Sequence, residues 1–259
     1  MTLLAVDIGN TTIQAGIFDD GALGPSWRLA TDHDRLADEY GILLSSLLRS
    51  ADLTPEDVDG AVVACVVPIL LPVFQAVCRR FFDVEPVVVG STIRTGMRIR
   101  YEQPNEVGAD RIVDAIAARD RHGPPPLIIV DFGTATVFDA IDADGDYLGG
   151  AIAPGVGIAA EALFKRASRL ARVELERTAN ASGRRETEWA EGGILFGYVG
   201  LVEGIIARFK AELGGGRVVG TGGWADRIAR ETQSVDVVDQ DLSLWGLLRV
   251  YQLNAEGTP

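Results

Sequence analysis

An internal repeat constrains the fold of this chain more than any other feature of its sequence. The stretch DIGNTTIQAGIFDDG begins at Asp7, and the related stretch DFGTATVFDAIDADG begins at Asp131. Aligned without gaps, the two stretches share residues at Asp7/Asp131, Gly9/Gly133, Thr12/Thr136, Ile17/Ile141, Asp20/Asp144 and Gly21/Gly145. In each copy an apolar run ends near the aspartate, a polar glycine loop follows, and a second apolar run leads to a tight turn. One copy alone is typical of an Asx turn between two strands, but two copies predict a duplicated structural unit.

The rest of the chain continues the same order in both halves. After each repeat, a third strand pattern is followed by alternating helix and strand patterns, and the proline run at residues 124–126 is the best candidate for a boundary. We therefore predict an α/β fold of two duplicated domains, residues 1–118 and 119–259, with a ligand cleft between them. That arrangement would bring both aspartate–glycine loops to one ligand.

The two loops carry residue types that suit a phosphate chain and a metal ion. Glycine lets backbone N–H groups approach a phosphate closely, and the neighbouring threonine hydroxyls offer further hydrogen bonds. Asp7 ends a strand, where a single carboxylate can orient hydrated Mg²⁺. The sequence contains no P-loop signature. A third glycine pattern, GTGGWA from Gly220, fits either a dinucleotide-binding fingerprint or a glycine turn that contacts a nucleoside.

Composition weighs against several other classes of protein. The 37 acidic and 24 basic residues give a net charge of −13, which argues against a nucleic-acid or anionic membrane partner. Cys65 and Cys78 have no metal-ligand spacing, so we predict reduced thiols. The charge-free stretch from residue 60 to 78 contains Pro68 and Pro72, which favour a buried strand and a helix over a membrane span. No cationic segment precedes the short apolar run at the start, and we expect a cytoplasmic protein.

With these features in place, the sequence resembles the type III pantothenate kinases of the acetate/sugar kinase, Hsp70 and actin superfamily. The matching stretches cover nearly the whole chain and are DIGNTT, VVP, YEQPNEVGADRIVDA, VDFGTAT, GGAIAPG, GYVGLVEGI, TGG and LSLWGL. The most specific of them contains GADR, residues 108–111. The resemblance implies two ribonuclease H-like (actin-like) domains with an ATP cleft between them. It also implies transfer of the ATP γ-phosphoryl group to pantothenate, the first step towards coenzyme A.

The resemblance further implies roles for particular residues. ATP would bind Thr134 and the first phosphate loop, which comprises Asp7, Ile8, Gly9, Asn10, Thr11, Thr12, Ile13 and Gln14. Pantothenate would be held by Tyr101, Gly108, Ala109, Asp110 and Arg111, with Asp110 accepting the proton of the substrate hydroxyl. Asp131 would bind a monovalent cation, K⁺ or NH₄⁺, and Asp7 would hold Mg²⁺ through water. Family members are typically homodimers in which the partner subunit helps to close the substrate pocket.

Two positions depart from the family pattern. Val137 stands where the second phosphate loop usually has threonine. Ungapped alignment of GRRETEWAEGG puts Glu186 at a threonine that contacts pantothenate in the family, although a shift of one residue would bring Thr187 there. Glu186 would add negative charge beside a carboxylated substrate unless Arg184 or Arg185 neutralises it. The alternatives are therefore a kinase for another small alcohol, or a noncatalytic regulatory paralogue that binds nucleotide or pantothenate.

Overall fold

The chain divides into two compact units. A computed structural model describes residues 1–90, 93–103, 106–167 and 182–255. One unit contains Met1–Asp120 together with the C-terminal segment from Asp241, and the other contains Arg121–Gln240. The sequence-based division, 1–118 and 119–259, assigned the C-terminal segment to the second lobe, and the structure differs there. The segment packs on the first sheet, where the Trp245 ring lies 5.1 Å from the Phe18 ring. No proline or glycine cluster directly precedes Asp241, so composition gives no boundary at that point.

The first unit is built on a five-stranded mixed sheet in the order β3-β2-β1-β4-β5. Its strands are β1 Thr2–Ile8, β2 Thr12–Asp19, β3 Ala22–Ala30, β4 Gly60–Cys65 and β5 Val87–Val88. Strand β1 pairs antiparallel with β2 and parallel with β4, and this central position explains its nearly continuous apolar run. Strand β3 lies at the edge, where it alternates in burial and tolerates Pro25.

The second unit repeats this topology in the order β10-β9-β6-β7-β8. Its strands are β6 Leu127–Phe132, β7 Ala135–Ile141, β8 Tyr147–Pro154, β9 Arg217–Thr221 and β10 Val237–Val238. Strand β6 occupies the place of β1, with antiparallel β7 on one side and parallel β9 on the other. The tight turns also correspond, since Gly21 and Gly145 both adopt positive φ, 82° and 83°. The predicted duplicated α/β fold is confirmed.

Helices cover the two sheets. They are α1 Ala37–Ser50, α2 Leu71–Phe81, α3 Ala109–Arg121, α4 Val156–Arg166, α5 Glu186–Leu213, α6 Ala225–Ala229 and α7 Leu242–Ala255, with a short 3₁₀ turn at Pro55–Asp57. The charge-free stretch forms buried β4 and then α2, whose first turn contains Pro72. Residues 104 and 105 of the GADR-containing stretch lie outside the described part of the chain.

Helix α5 is apolar along much of its length. Within the described residues it is the one helix long and apolar enough, by length and composition, to cross a membrane. Its side chains Leu195, Val202 and Ile206 are buried in the core of the second unit. Core helices of soluble proteins have the same composition, so this property is weak evidence for a membrane span.

Candidate active site

The first phosphate loop leaves the sheet at the carboxyl end of β1. Asp7, the penultimate residue of β1, pairs with Ala64 of the parallel strand β4. The loop is closed by a hydrogen bond from the Gly9 N–H to the Thr12 carbonyl at 3.0 Å, and Thr31 Oγ1 donates to the Gly9 carbonyl at 2.7 Å. Loops that follow neighbouring parallel strands meet at one edge of a sheet, where ligands of open α/β sheets bind. Asp7 therefore stands at the edge where a ligand is expected.

The predicted ATP-binding residues of this loop differ in whether their side chains can contact a phosphate group. Asn10, Thr11 and Thr12 are exposed, whereas Ile8 and Ile13 are fully buried in the core. Gln14 donates from Nε2 to Asp241 Oδ1 at 2.9 Å. The exposed polar side chains can face phosphate, but the two isoleucines can contribute only through their backbone.

The Asp7 carboxyl group is poorly satisfied by the protein. Its Oδ1 is buried and has no hydrogen-bond partner in the part of the chain that the structure describes. Burial raises the pKa of Asp7 to about 7, the charge of Asp110 acts in the same direction, and a hydrogen bond with Ser243 opposes both. A buried acceptor without a partner costs roughly 1–3 kcal/mol. A ligand that supplies a donor or positive charge would remove this cost.

Hydrated Mg²⁺ fits the unpaired oxygen of Asp7. One carboxylate is enough for Mg²⁺ when water and nucleotide oxygens complete its coordination. Among the described residues no group of three or more His, Cys, Asp or Glu side chains could hold a metal ion. A magnesium ion at Asp7 would thus depend on ligands from water and nucleotide.

The GADR motif places a second carboxylate beside Asp7. Asp110 lies in the first turn of α3, and its Oδ1 accepts a hydrogen bond from the Arg111 N–H at 2.8 Å. A Cβ on Gly108 would overlap the Asp110 carboxylate and would lie 3.8 Å from Val66, just beyond β4. Burial raises the pKa of Asp110, and its charge contributes to the raised pKa of Asp7. The structure therefore brings Asp7 and Asp110 together at one edge of the first sheet.

The other predicted substrate residues are more dispersed. Ala109 is buried at the start of α3, whereas the Tyr101 side chain is 40% exposed. Glu186 is exposed in the first turn of α5 in the second unit. Of the two arginines that could neutralise it, Arg185 has its Nε 3.9 Å from Glu188 Oε1. Arg184 contacts Glu188 through its backbone, because the Arg184 N–H donates to Glu188 Oε2 at 2.7 Å.

In the second unit, glycine backbone surrounds the carboxylate of Asp131. Asp131 is the penultimate residue of β6 and pairs with Thr221 of β9. Gly222 has a φ of +90°, and a Cβ there would overlap Asp131 Oδ1. A Cβ on Gly133 would lie 3.3 Å from Asp131 Oδ2. A carboxylate provides oxygen ligands of the kind that a hard cation such as K⁺ prefers, so Asp131 fits the predicted monovalent cation.

Sequence reasoning gave no role to three polar side chains near these aspartates. Tyr198 of α5 shares a hydrogen bond with the Thr136 hydroxyl, and burial together with the Asp131 charge raises the pKa of Tyr198. Ser243 of α7 donates from Oγ to Asp114 Oδ1 of α3 at 2.7 Å. All three lie inside stretches that carry the family resemblance, namely GYVGLVEGI, LSLWGL and GADRIVDA. Their position in these stretches is the feature of the sequence that could have identified them.

The GTGGWA stretch does not have the surroundings of a dinucleotide site. The helix that follows it, α6, has only five residues, and β10 then ends the sheet. Asp239, the acidic residue that such a site would use, lies 2.8 Å from His122 Nε2. A dinucleotide fingerprint needs a longer helix whose N-terminus receives the pyrophosphate. The stretch forms a turn in which Gly222 lies beside Asp131, and its contact with a nucleoside stays a prediction.

Comparison with known proteins assigns the family. The family model described as type III pantothenate kinase matches residues 3–208. The chain belongs to the type III pantothenate kinase family. It is 47% identical to the type III pantothenate kinase of Roseiflexus sp. (strain RS-1) over 97% of this chain and 99% of that protein. It is 49% identical to the type III pantothenate kinase of Pelobacter propionicus, with the same coverage. The resemblance found in the sequence is confirmed.

A solved structure supports the assignment of the fold. The activator of 2-hydroxyisocaproyl-CoA dehydratase from Clostridium difficile, solved with bound ADPNP, has a TM-score of 0.55 and 14% identity. The match covers 100% of this chain and 99% of that one. At this identity the likeness concerns the fold alone, and it agrees with two ribonuclease H-like units in a type III pantothenate kinase family member.

Proposed function

We propose that the protein transfers the γ-phosphoryl group of ATP to the primary hydroxyl of pantothenate and forms 4′-phosphopantothenate, the first step of coenzyme A biosynthesis. Family membership supports the reaction and both substrates. In the structure, the supporting observation is the pair of partly buried carboxylates, Asp7 and Asp110, at one edge of the first sheet. Phosphoryl transfer depends mainly on positioning and charge neutralisation, and such a pair can serve the metal–nucleotide and the acceptor separately.

Each group in the first unit then has a distinct task. The first phosphate loop contacts the ATP phosphates, and Asp7 holds hydrated Mg²⁺, which neutralises phosphate charge when bound. Asp110 orients the pantothenate hydroxyl and accepts its proton, a role that its raised pKa favours. Arg111, with Tyr101, Gly108 and Ala109, binds the remainder of pantothenate, since a guanidinium is suited to a carboxylate.

We further propose roles for two residues of the second phosphate loop. Thr134 contacts ATP, and Asp131 binds K⁺ or NH₄⁺ within the glycine backbone described above. The proposal extends to a homodimer in the cytoplasm without nucleic-acid or membrane partners. The net charge of −13 supports the last point, because it disfavours anionic surfaces.

Release of ADP in the presence of pantothenate tests the reaction. The purified protein is assayed with Mg²⁺ and either K⁺ or Na⁺, and beside it the variants Asp110→Asn and Asp120→Asn. Asp120 lies on the same helix, at its exposed end, and provides the matched control. We expect pantothenate-dependent ADP release that needs K⁺ and is lost in Asp110→Asn alone. Full activity of Asp110→Asn would refute its role as base.

A second candidate function is a kinase for a different small alcohol. The observation that favours it is Glu186, exposed at the start of α5, while the guanidinium of the neighbouring Arg185 lies 3.9 Å from Glu188. Competition between pantothenate and other alcohols, in the wild type and in Glu186→Thr, distinguishes the two acceptors. Calorimetric binding of nucleotide or pantothenate without turnover would instead support the noncatalytic paralogue.

A further inference from the structure

Thr31, the residue directly after β3, holds the first phosphate loop from outside. Its hydroxyl donates to the Gly9 carbonyl at 2.7 Å, and its backbone N–H donates to the Thr11 carbonyl at 3.0 Å. The contact continues the ladder between β2 and β3, in which Thr12 pairs with Ala30. One residue thus binds two carbonyl groups of the loop, and the proposed reaction gives this residue no task.

These two hydrogen bonds fix the direction of the N–H groups that follow the two carbonyls. The peptide units of the loop are trans, and in a trans unit the C=O and the N–H point to opposite sides. Because the Gly9 carbonyl points to Thr31, the Asn10 N–H points away from Thr31. The same holds for the Thr12 N–H, which follows the Thr11 carbonyl. Both residues are exposed, so their N–H groups can reach a ligand outside the loop.

The loop is also closed tightly on itself. The Gly9 N–H donates to the Thr12 carbonyl, and a Cβ on Gly9 would lie only 2.9 Å from that oxygen. Glycine allows this approach because it lacks a side chain. The carbonyls of Gly9, Thr11 and Thr12 therefore all accept hydrogen bonds within the protein. Carbonyl oxygens repel phosphate, whereas backbone N–H groups bind it, so this arrangement suits an anion.

A buried tyrosine fixes the backbone beside Thr31. Tyr40 of α1 is fully buried, and its ring lies 4.8 Å from the Phe74 ring in the core of the first unit. The Tyr40 hydroxyl donates to the Asp32 carbonyl at 2.9 Å and accepts a hydrogen bond from the Asp32 N–H at 3.0 Å. Asp32 directly follows Thr31, so a packed core residue holds the chain where Thr31 binds the loop.

We infer that Thr31 is a positioning residue of the nucleotide site, which turns two loop carbonyls towards itself so that the N–H groups of Asn10 and Thr12 face a phosphate of ATP. The inference rests on the proposed role of the first phosphate loop. Thr31 acts through the backbone of this loop and not on the reacting atoms. Loss of its hydroxyl removes the donor to the Gly9 carbonyl and lets that oxygen turn towards the phosphate, which it repels.

Binding of ADP, measured by calorimetry, tests the inference. Thr31→Val keeps the shape of the side chain but lacks the hydroxyl, and we expect its affinity for ADP to fall about 10-fold. Thr31→Ser, which retains a hydroxyl, should keep most of the wild-type affinity. In steady-state assays Thr31→Val should raise the KM for ATP and leave the KM for pantothenate unchanged.

Another threonine of the first unit provides the matched control. Thr95 is partly buried like Thr31, and its hydroxyl donates to the Met97 carbonyl at the same distance, 2.7 Å. Thr95→Val therefore removes a comparable hydrogen bond without touching the loop, and its affinity for ADP should equal that of the wild type. Thermal unfolding of both valine variants separates general destabilisation from an effect on the loop.

The amide signals of Asn10 and Thr12 report on the loop directly. In NMR spectra of ¹⁵N-labelled wild type, ADP should shift both signals, and at saturating ADP the shifts should be smaller in Thr31→Val. Wild-type ADP affinity in Thr31→Val would overturn the inference, as would an equal loss in Thr31→Ser or wild-type signals that ADP does not move. If the wild type shows pantothenate-dependent ADP release, these results refute the inference alone. A wild type that neither binds nor releases ADP refutes the proposed function, and the inference with it.

Discussion

The ionised carboxylate of Asp7 should lower the free energy of unfolding of the ligand-free protein. Its folded-state pKa of about 7 lies above the ordinary value of 3.8, chiefly because the carboxyl is buried. The folded protein therefore favours protonated Asp7, while the unfolded chain ionises at lower pH. As pH rises from 3.8 towards 7, the unfolded state loses its proton first, and the free energy of unfolding falls. Above that window the loss stays constant. The substitution Asp7→Asn removes this ionisation and should stabilise the ligand-free protein at high pH.

The size of the effect can be worked out from the pKa values. The rise from 3.8 to about 7 corresponds to roughly 4 kcal/mol at about 1.36 kcal/mol per pKa unit. Asp7 retains some contact with solvent, which lowers the expected gain to about 2–4 kcal/mol. Most of the gain should appear between about pH 3.8 and about pH 7, where the unfolded chain has lost the Asp7 proton and the folded protein still holds it.

Urea unfolding in EDTA, without nucleotide, measures this gain. Tryptophan fluorescence follows unfolding, and two of the four tryptophans, Trp27 and Trp245, lie in the first unit with Asp7. Asp19→Asn, at the exposed end of β2, controls for the removal of a carboxylate from the same sheet. We expect Asp7→Asn to be the more stable protein at pH above 7 and to lack Mg²⁺-dependent activity. A stability difference from the wild type that does not grow with pH would refute the assigned burial of Asp7.

Three further predictions concern other parts of the chain. Gly246→Ala should destabilise the first unit by about 1–3 kcal/mol in urea unfolding, because the added methyl group overlaps the Val113 backbone; an unchanged midpoint would contradict the close helix contact. Asp131→Asn should abolish the difference in rate between K⁺ and Na⁺, and a retained K⁺ dependence would exclude Asp131 as the ligand. Burial raises the pKa of Cys78 to about 12, whereas Cys65 is only partly buried. Iodoacetamide should therefore modify Cys65 first, as peptide mass spectrometry can determine.

The sequence predicted those parts of the fold that depend on local pattern. The repeat around Asp7 and Asp131 predicted two equivalent sheets, because apolar runs and turn residues report directly on strands and hairpins. The attachment of α7 to the first unit was not predictable in this way. It depends on a contact between Gly246 and Val113, residues far apart in the chain, and no local pattern encodes such a contact. The same distance in sequence hid the link from Ser243 to Asp114.

The two copies of the repeat form the same strand–loop–strand structure. The chain differs after the strand that pairs parallel with the first strand of each copy, which is β4 in the first unit and β9 in the second. After β4 the chain reaches α3, which brings Asp110 to Asp7 and raises the pKa of both carboxyls through burial. After β9 the chain forms the Gly222 turn, which places glycine backbone against the Asp131 carboxylate. Among the described residues, Asp7 thus keeps an unpaired oxygen beside a like charge, whereas Asp131 has Gly133 and Gly222 close to it. The duplicated scaffold explains why both aspartates stand at a sheet edge, and the segments after β4 and β9 explain why we assign them to different ions.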